Sequence, residues 1–481
     1  MNLFFLSSAD VQQAFAAGAH NLHAAVSDFI AGPIMCAVFV LIGIYLTFRT
    51  RWFQITRLGL WWKTTIGAVL KDKTVVKTSD KQAISQFQAL STALAATTGT
   101  GNIAGVATAI VLGGPGAVFW MWVSAFFGMM TKFSEIVLSM KYRYKNKKGE
   151  WVGGPMVFLD RGLNMKWLAV LFAIFATLAS FGIGCSTQSN SAAEALYTVF
   201  GADKGTIGAI LAILCGMVII GGIKRIGKVT EILVPFMAIL YILGSLVLIF
   251  MNIGQFVPAC KSIFSGAFQL KSVGGGIGGF TISQAMRFGV ARGVFSNEAG
   301  LGSSSMVHAA SDTKEPVQQA MWGIFEVFAD TIVGCTITAL SILVTNVHQF
   351  SNNTGAALTS EAFTTSFGSF GGVFVAVGIT LFAFSTLVSW SYYGERGCEY
   401  LFGSKSIILY KLVYIFCIYL GAKTSLDLIW NIADTLNGLM AIPNLIGVVA
   451  MSGTVAIMTK EYLAKQIKYK NRSAYLKRHS F

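Results

Sequence analysis

The sequence predicts an all-α polytopic membrane protein with about eleven transmembrane helices, and three observations carry that expectation. Of the 481 residues, 54% are hydrophobic and only 12% charged, and the mean hydropathy is +0.65. A soluble domain carries about 25% charge. The apolar residues fall in runs of the length a helix needs, at ~1.5 Å per residue, to cross a ~30 Å hydrocarbon layer. The basic residues sit between those runs, concentrated on alternate sides.

In chain order the runs are 30–48, 84–112, 117–140, 168–195, 205–222, 230–251, 277–295, 317–345, 370–394, 406–421 and 426–458. The last contains Asp434 and Pro443, so it reads as one kinked helix or as a half-helix followed by a span. Lys and Arg cluster after the first run (Arg49 to Lys81), the third (Lys141 to Lys148) and the fifth (Lys224 to Lys228), and in the tail from Lys460. The opposite loops hold only Lys204, Lys261, Lys271 and Lys423. That bias places the N-terminus outside and the C-terminus in the cytoplasm, which an odd number of spans satisfies. It also accounts for the net charge of +15 without nucleic acid, for which no motif is present. The start, MNLFFLSSAD, has no basic n-region and does not read as a cleaved signal peptide. The seven dispersed cysteines form no CxxC or Cys/His cluster, so neither disulfides nor a metal is implied.

The most informative run is 84–112, which is interrupted by TTGTGN (Thr97–Asn102). Backbone without helical bonds survives at membrane depth only inside protein or against a cavity, and there it offers amides and carbonyls to a polar solute. With 30–48 set aside as an extra helix, five runs fall in 84–251 and five in 277–458. The second set opens on GGGIGGFTISQAMRFG (Gly274–Gly289), again dense in glycine and hydroxyls, and its break is expected around Thr281, Ser283 and Gln284. Interrupted segments in corresponding places point to an inverted-repeat transporter. Residues 1–29 then form an extracellular segment and 459–481 a basic cytoplasmic tail.

Several motifs resemble signatures of the alanine or glycine:cation symporters. They are GTGNIAGVATAI (Gly99–Ile110), GGPGAVFWMW (Gly113–Trp122), GGPM with a following GL (Gly153–Met156, Gly162–Leu163), GVARGVFSNEAGLGSSS (Gly289–Ser305) and WGIFEVFADTIVGCTITAL (Trp322–Leu340). The resemblance spans nearly the whole chain, in order. It implies a LeuT-like fold of two inverted five-helix repeats plus one N-terminal helix, in a bacterial or archaeal plasma membrane. It also implies import of a small neutral amino acid (alanine, glycine, serine or D-alanine) coupled to Na+, with no cofactor.

The candidate residues follow. The amides of Gly99, Thr100 and Gly101 suit a substrate carboxylate, because helix N-termini favour anions, and the Asn102 amide both donates and accepts. The alternative for Asn102 is a cap on the second half-helix. A buried Gln188 in the fourth span must be hydrogen-bonded. The resemblance places a glutamine there beside the substrate amino group, and interhelical bonding is the rival. Thr281 and Ser283 are substrate candidates from the second broken segment. The paired hydroxyls Ser385 and Thr386, with Thr98 and carbonyls of the first broken helix, are implied to hold Na+. Trp390 would wall the pocket or its cytoplasmic gate. Glu326 and Asp330, four apart, share a helix face and form either a proton path or a network neutralised by Lys132 and Arg287. Arg287, Arg292 and Glu298 flank RGVFSNEAG at the cytoplasmic end of the seventh span, as a latch or a fixed anchor. A proton-coupled symporter and a gated channel are the rival functions. No nucleophile–base pair, metal motif or P-loop supports an enzyme or an ATP-driven pump.

Overall fold

The computed structural model describes residues 32–268, 282–424 and 426–479, with side chains described over 32–268, 282–424 and 435–468. The N-terminal segment and Thr281 lie outside the described residues. Helix α1 (Pro33–Arg49) opens on a proline, whose missing N–H would have no partner in a first turn anyway. The chain then reverses through Arg51 and Trp52, both left-handed (φ 59° and 57°). The reversal buries Phe53 against Phe133, with ring centroids 5.1 Å apart.

The first broken span comprises α2 (Gln86–Thr97) and α3 (Ala104–Gly113), bent by 58°. Helix α4 (Gly116–Tyr142) follows. Helices α5 (Lys166–Phe181) and α6 (Thr187–Phe200) join through a π-helical turn at Gly182–Ser186. Helices α7 (Lys204–Ile219) and α8 (Gly222–Met251) complete the unit. The second unit begins with α9 (Ile282–Asn297) and α10 (Ser303–His308). Helices α11 (Pro316–Val327) and α12 (Thr336–Thr345) join through another π-helical turn, Phe328–Cys335. After α13 (Gly355–Phe367) come α14 (Ser369–Phe402), α15 (Ser406–Lys423), α16 (Leu426–Ala450) and α17 (Ser452–His479).

Corresponding helices pack on one another: α2 on α10, α3 on α9, α4 on α11, α5 and α6 on α14, and α7 on α15. This is the inverted five-plus-five arrangement expected from the sequence. Large apolar side chains such as Ile213, Phe236, Phe250, Ile408 and Phe416 stay exposed on the outer faces. Polar groups including Lys132, Glu135, Glu326 and Asp330 are buried. Apolar outside and ionisable inside is the distribution a bilayer selects, because charge in hydrocarbon is expensive.

Three sequence expectations change. The seventh span is helical from Ile282 to Asn297, so it does not break around Ser283 and Gln284; it breaks after Asn297. Glu298, Gly300 and Gly302 there have φ of 56°, 102° and 76°. The glycines at 274–279 drew attention because they are dense, but the chain bends where left-handed residues alternate. The last span bends by 58° at Met451, while Pro443 stays inside α16. Two helices outside the spans, Phe256–Ala267 and α13, were not anticipated.

Candidate functional site

The first break is built from small residues. A reciprocal capping box between Ser85 and Gln88 starts α2. The helix ends where the Thr98 hydroxyl bonds the Leu94 carbonyl and Gly99 turns extended (φ −114°, ψ −149°). A single 3-10 turn, Thr100–Asn102, leads into α3. The Thr100 hydroxyl and the Asn102 side-chain oxygen are buried with no hydrogen-bond partner among the described residues. Such groups cost about 1–3 kcal/mol each when left unmet, so they are poised to receive something.

Gln188 reaches this break. The π turn frees the Ile183 carbonyl, which accepts from Gln188 Nε2 at 3.0 Å, and Gln188 Oε1 accepts from the Thr100 amide at 3.3 Å. On the other side lie Ser385 and Thr386 of α14. The Thr386 hydroxyl contacts the carbonyls of Ala95 (2.8 Å) and Phe382 (3.0 Å). The Ser385 hydroxyl lies 3.4 Å and 2.9 Å from the same two. Four neutral oxygens therefore converge where α14 crosses the end of α2. A Cβ on Gly99 would lie 2.7 Å from Thr386 Oγ1 and 3.2 Å from Gln188 Oε1, so only glycine fits between them. A Cβ on Gly101 would face the Phe295 ring at 3.3 Å, which ties that glycine to the approach of α9.

Glu326 and Asp330 share no hydrogen-bond or ion-pair partner among the described residues. The π turn between them rotates the helix, so their i,i+4 spacing no longer keeps one face. Asp330 turns into the break: it accepts from Asn102 Nδ2 at 2.8 Å and from the hydroxyls of Ser296 and Thr331 at 2.8 Å each. Glu326 turns to Lys132 Nζ (3.2 Å) and His308 Nε2 (3.1 Å). Lys132 also donates to Ser304, and His308 contacts Gln319.

The second break is stitched by side chains. Glu135 accepts from the Gly300 amide (2.9 Å) and from Asn444 Nδ2 (2.6 Å), and Asn444 also donates to the Gly300 carbonyl (2.8 Å). Glu298 accepts from Trp390 Nε1 at 2.8 Å and from the Ser303 hydroxyl. Glu298 and Trp390 thus belong to the break itself, not to a latch at a span end. Arg287 and Arg292 lie in α9, the half packed on α3. Arg292 lines a cavity of about 430 Å³ with Thr108, Ser191, Glu194 and Ser360. Both arginines thus lie in the half-helix before the break, Ile282–Asn297, and Glu298 lies just past its end. Ser283, in the first turn of α9, is exposed and remote in sequence from the break.

Sequence reasoning missed several participants. Ala95 and Phe382 act through carbonyls, which no side-chain pattern reveals. Ser296 and His308 were unremarkable among many hydroxyls and lone histidines. Arg396 is buried at the end of α14, bonded to Glu150 and to Glu395 and Glu399. Its signal was present: GERGCE places three charges in six residues at the end of an apolar run.

An inverted repeat with two broken spans meeting at buried oxygens defines a secondary transporter of the LeuT-like class. The solved transporter MhsT, in complex with L-phenylalanine, shares this fold at a TM-score of 0.56 with 12% identity, covering 79% of this chain and 99% of that one. The profile of the sodium:alanine symporter family matches residues 16–476. The sodium/alanine symporter AgcS of Methanococcus maripaludis is 49% identical over 444 residues, 91% of this chain and 96% of that protein. The probable sodium/glutamine symporter GlnT of Bacillus subtilis is 38% identical, over 91% of this chain and 89% of its own length. The chain belongs to the sodium:alanine symporter family. It is an integral membrane transporter, a Na+-coupled amino-acid symporter, and not an enzyme.

Proposed function

We propose that this chain imports a small neutral amino acid, alanine or glycine in the first instance, into a bacterial or archaeal cell together with Na+. The observation that carries this reading is the convergence of Ser385, Thr386 and the carbonyls of Ala95 and Phe382 on the end of α2. Neutral oxygens from an unwound helix end suit Na+. Thr98, at the same helix end, adds its hydroxyl to this seat. The amides from Gly99 to Gly101 and the unmet Thr100 hydroxyl donate to the substrate carboxylate, the unmet Asn102 Oδ1 accepts from the substrate ammonium group, and Gln188 takes part in orienting the substrate. Trp390 closes the inner side through Glu298. The site favours small substrates because Phe295, Thr386 and Gln188 crowd the two glycines.

With the N-terminus outside and the C-terminus cytoplasmic, the cavity lined by Arg292 and Glu194 is the outer approach. Joint occupation of the seat and the break favours closure, and rocking of one bundle against the other opens the site inward. Proton coupling has a foothold at the break in the Asp330 carboxylate, whose described hydrogen bonds all come from neutral donors, Asn102 of the break among them.

The deciding experiment is uptake of labelled alanine and glycine into proteoliposomes, with Na+ and pH gradients imposed separately. Uptake is expected under an inward Na+ gradient at clamped pH. Uptake driven by the pH gradient alone moves the reading to protons and Asp330. No uptake of any small amino acid under either gradient overturns it.

A further inference from the structure

One large cavity is lined by no residue of either break. It measures about 940 Å³ and lies between the end of α1, the reversal after it, and the first turns of α17. Its walls include Phe48, Phe53, Ile457, Leu463 and Ile467, and Phe48 and Ile457 are more than half exposed. Its rim carries Arg49, Arg51, Arg57 and Lys460. Among the described residues no carboxylate lines it and none of these four cations has an ion pair.

Like charges do not gather by default. The left-handed pair Arg51 and Trp52 costs about 1–3 kcal/mol per residue, yet that turn is what carries Arg51 and Arg57 back toward Arg49. Arg49 Nη2 lies 3.5 Å from where a Cβ on Gly453 would stand, at the start of α17. A helix start is itself positive, so the crevice concentrates one sign of charge above an apolar slot. Tyr45 and Ser452 bond across it at 2.9 Å and fix its width. By loop charge the rim lies at the cytoplasmic face, where anionic headgroups meet membrane proteins.

We infer that this crevice is a binding site for one anionic phospholipid, its headgroup phosphate among the four cations and its acyl chains along the apolar walls of α1 and α17. The bound lipid braces the extra N-terminal helix against the second arm of the bent last span, Ser452–Lys468.

The test uses the full chain in vesicles containing photoactivatable phosphatidylglycerol or phosphatidylcholine, with labelled peptides read by mass spectrometry. The anionic probe is expected to label 45–57 and 453–467 well above the zwitterionic one. Inorganic phosphate is expected not to displace it. Arg57→Gln is expected to lower the preference about fivefold, since one cation near an anionic surface is worth about 1 kcal/mol, while Arg57→Lys retains it. Equal labelling by the two probes in the unsubstituted protein, labelling elsewhere, or displacement by phosphate overturns the proposal. The comparison of probes needs no variant, so it stands even where a substitution fails to fold.

Discussion

The two broken spans occupy equivalent places in the repeat but are built from opposite chemistry. The first, Thr97 to Asn102, is made of glycine, hydroxyls and an amide, and it leaves buried polar atoms unmet. The second, Glu298 to Gly302, bends through left-handed residues, and its backbone is bonded by Glu135 and Asn444 while Glu298 bonds Trp390. Repeat symmetry dictates that a helix breaks at each place. It does not dictate what the break is for. At the first, the unmet atoms are a hydroxyl and an amide oxygen on residues of the bend itself; at the second the bend is bonded, the unmet Glu135 Oε2 and Asn444 Oδ1 belong to the side chains that bond it, and the cluster of Lys132, Glu326 and His308 lies alongside, reaching Ser304. The comparison assigns binding mainly to the first break and rigidity mainly to the second.

Substituting Lys132 tests this most severely. Lys132→Met leaves Glu326 buried beside only His308, and removing one partner of a buried pair costs about 3–5 kcal/mol. The expected outcome is a large fall in the thermal midpoint of detergent-solubilised protein, or loss of the monodisperse peak. Retention of both would mean the network does not hold the second break. Trp390→Phe is next. It keeps the ring that packs on Gly184 but loses the bond to Glu298. A hydrogen bond to a charged group is worth about 1.5–3 kcal/mol. Stability should drop by that order while the Na+ dependence of uptake keeps its shape.

Much of this contrast was legible in the sequence for the first break and little for the second. TTGTGN disrupts an apolar run, and that signal is local. Gln188 stood out as a polar residue in an apolar run, but it was the resemblance that brought Gln188, Ser385 and Thr386 to the break. The second break was misplaced because glycine density is a weak guide: NEAGLG bends through three left-handed residues, and Glu298 among them is not a glycine. The split between Glu326 and Asp330 was invisible, because a π turn changes the helical phase without any marker in composition. The bonds from Glu135 to Gly300 and from Asn444 to Glu135 join residues 165 and 309 positions apart. Such pairings follow from tertiary packing alone.

Gly99→Ala moves the contrast to the other break. The new Cβ would stand 2.7 Å from Thr386 Oγ1, and overpacking of this kind costs about 1–3 kcal/mol. Here the cost falls on the proposed Na+ seat. The Na+ concentration for half-maximal uptake should rise about tenfold, with the thermal midpoint changing far less than in Lys132→Met. An unchanged Na+ dependence would separate Gly99 from the ion.

The smallest effect is expected at Thr98, and it separates shape from binding within the first break. The Thr98 hydroxyl bonds the Leu94 carbonyl, one turn back. Valine keeps the branched shape and loses that bond, whose net worth is about 1 kcal/mol. If the hydroxyl only ends the helix, Thr98→Val costs that much stability and leaves the Na+ dependence alone. If the seat extends to the Thr98 hydroxyl, losing that oxygen weakens ion binding a few-fold, about 1 kcal/mol, while the Leu94 carbonyl still accepts from the Thr98 amide. The seat as proposed predicts the second result, read as a shift in half-saturating Na+ at constant alanine. The first result would confine the seat to Ala95, Phe382, Ser385 and Thr386. The α2 side of the break would then bind through the Ala95 carbonyl alone, and the rest of the binding surface would begin at Gly99.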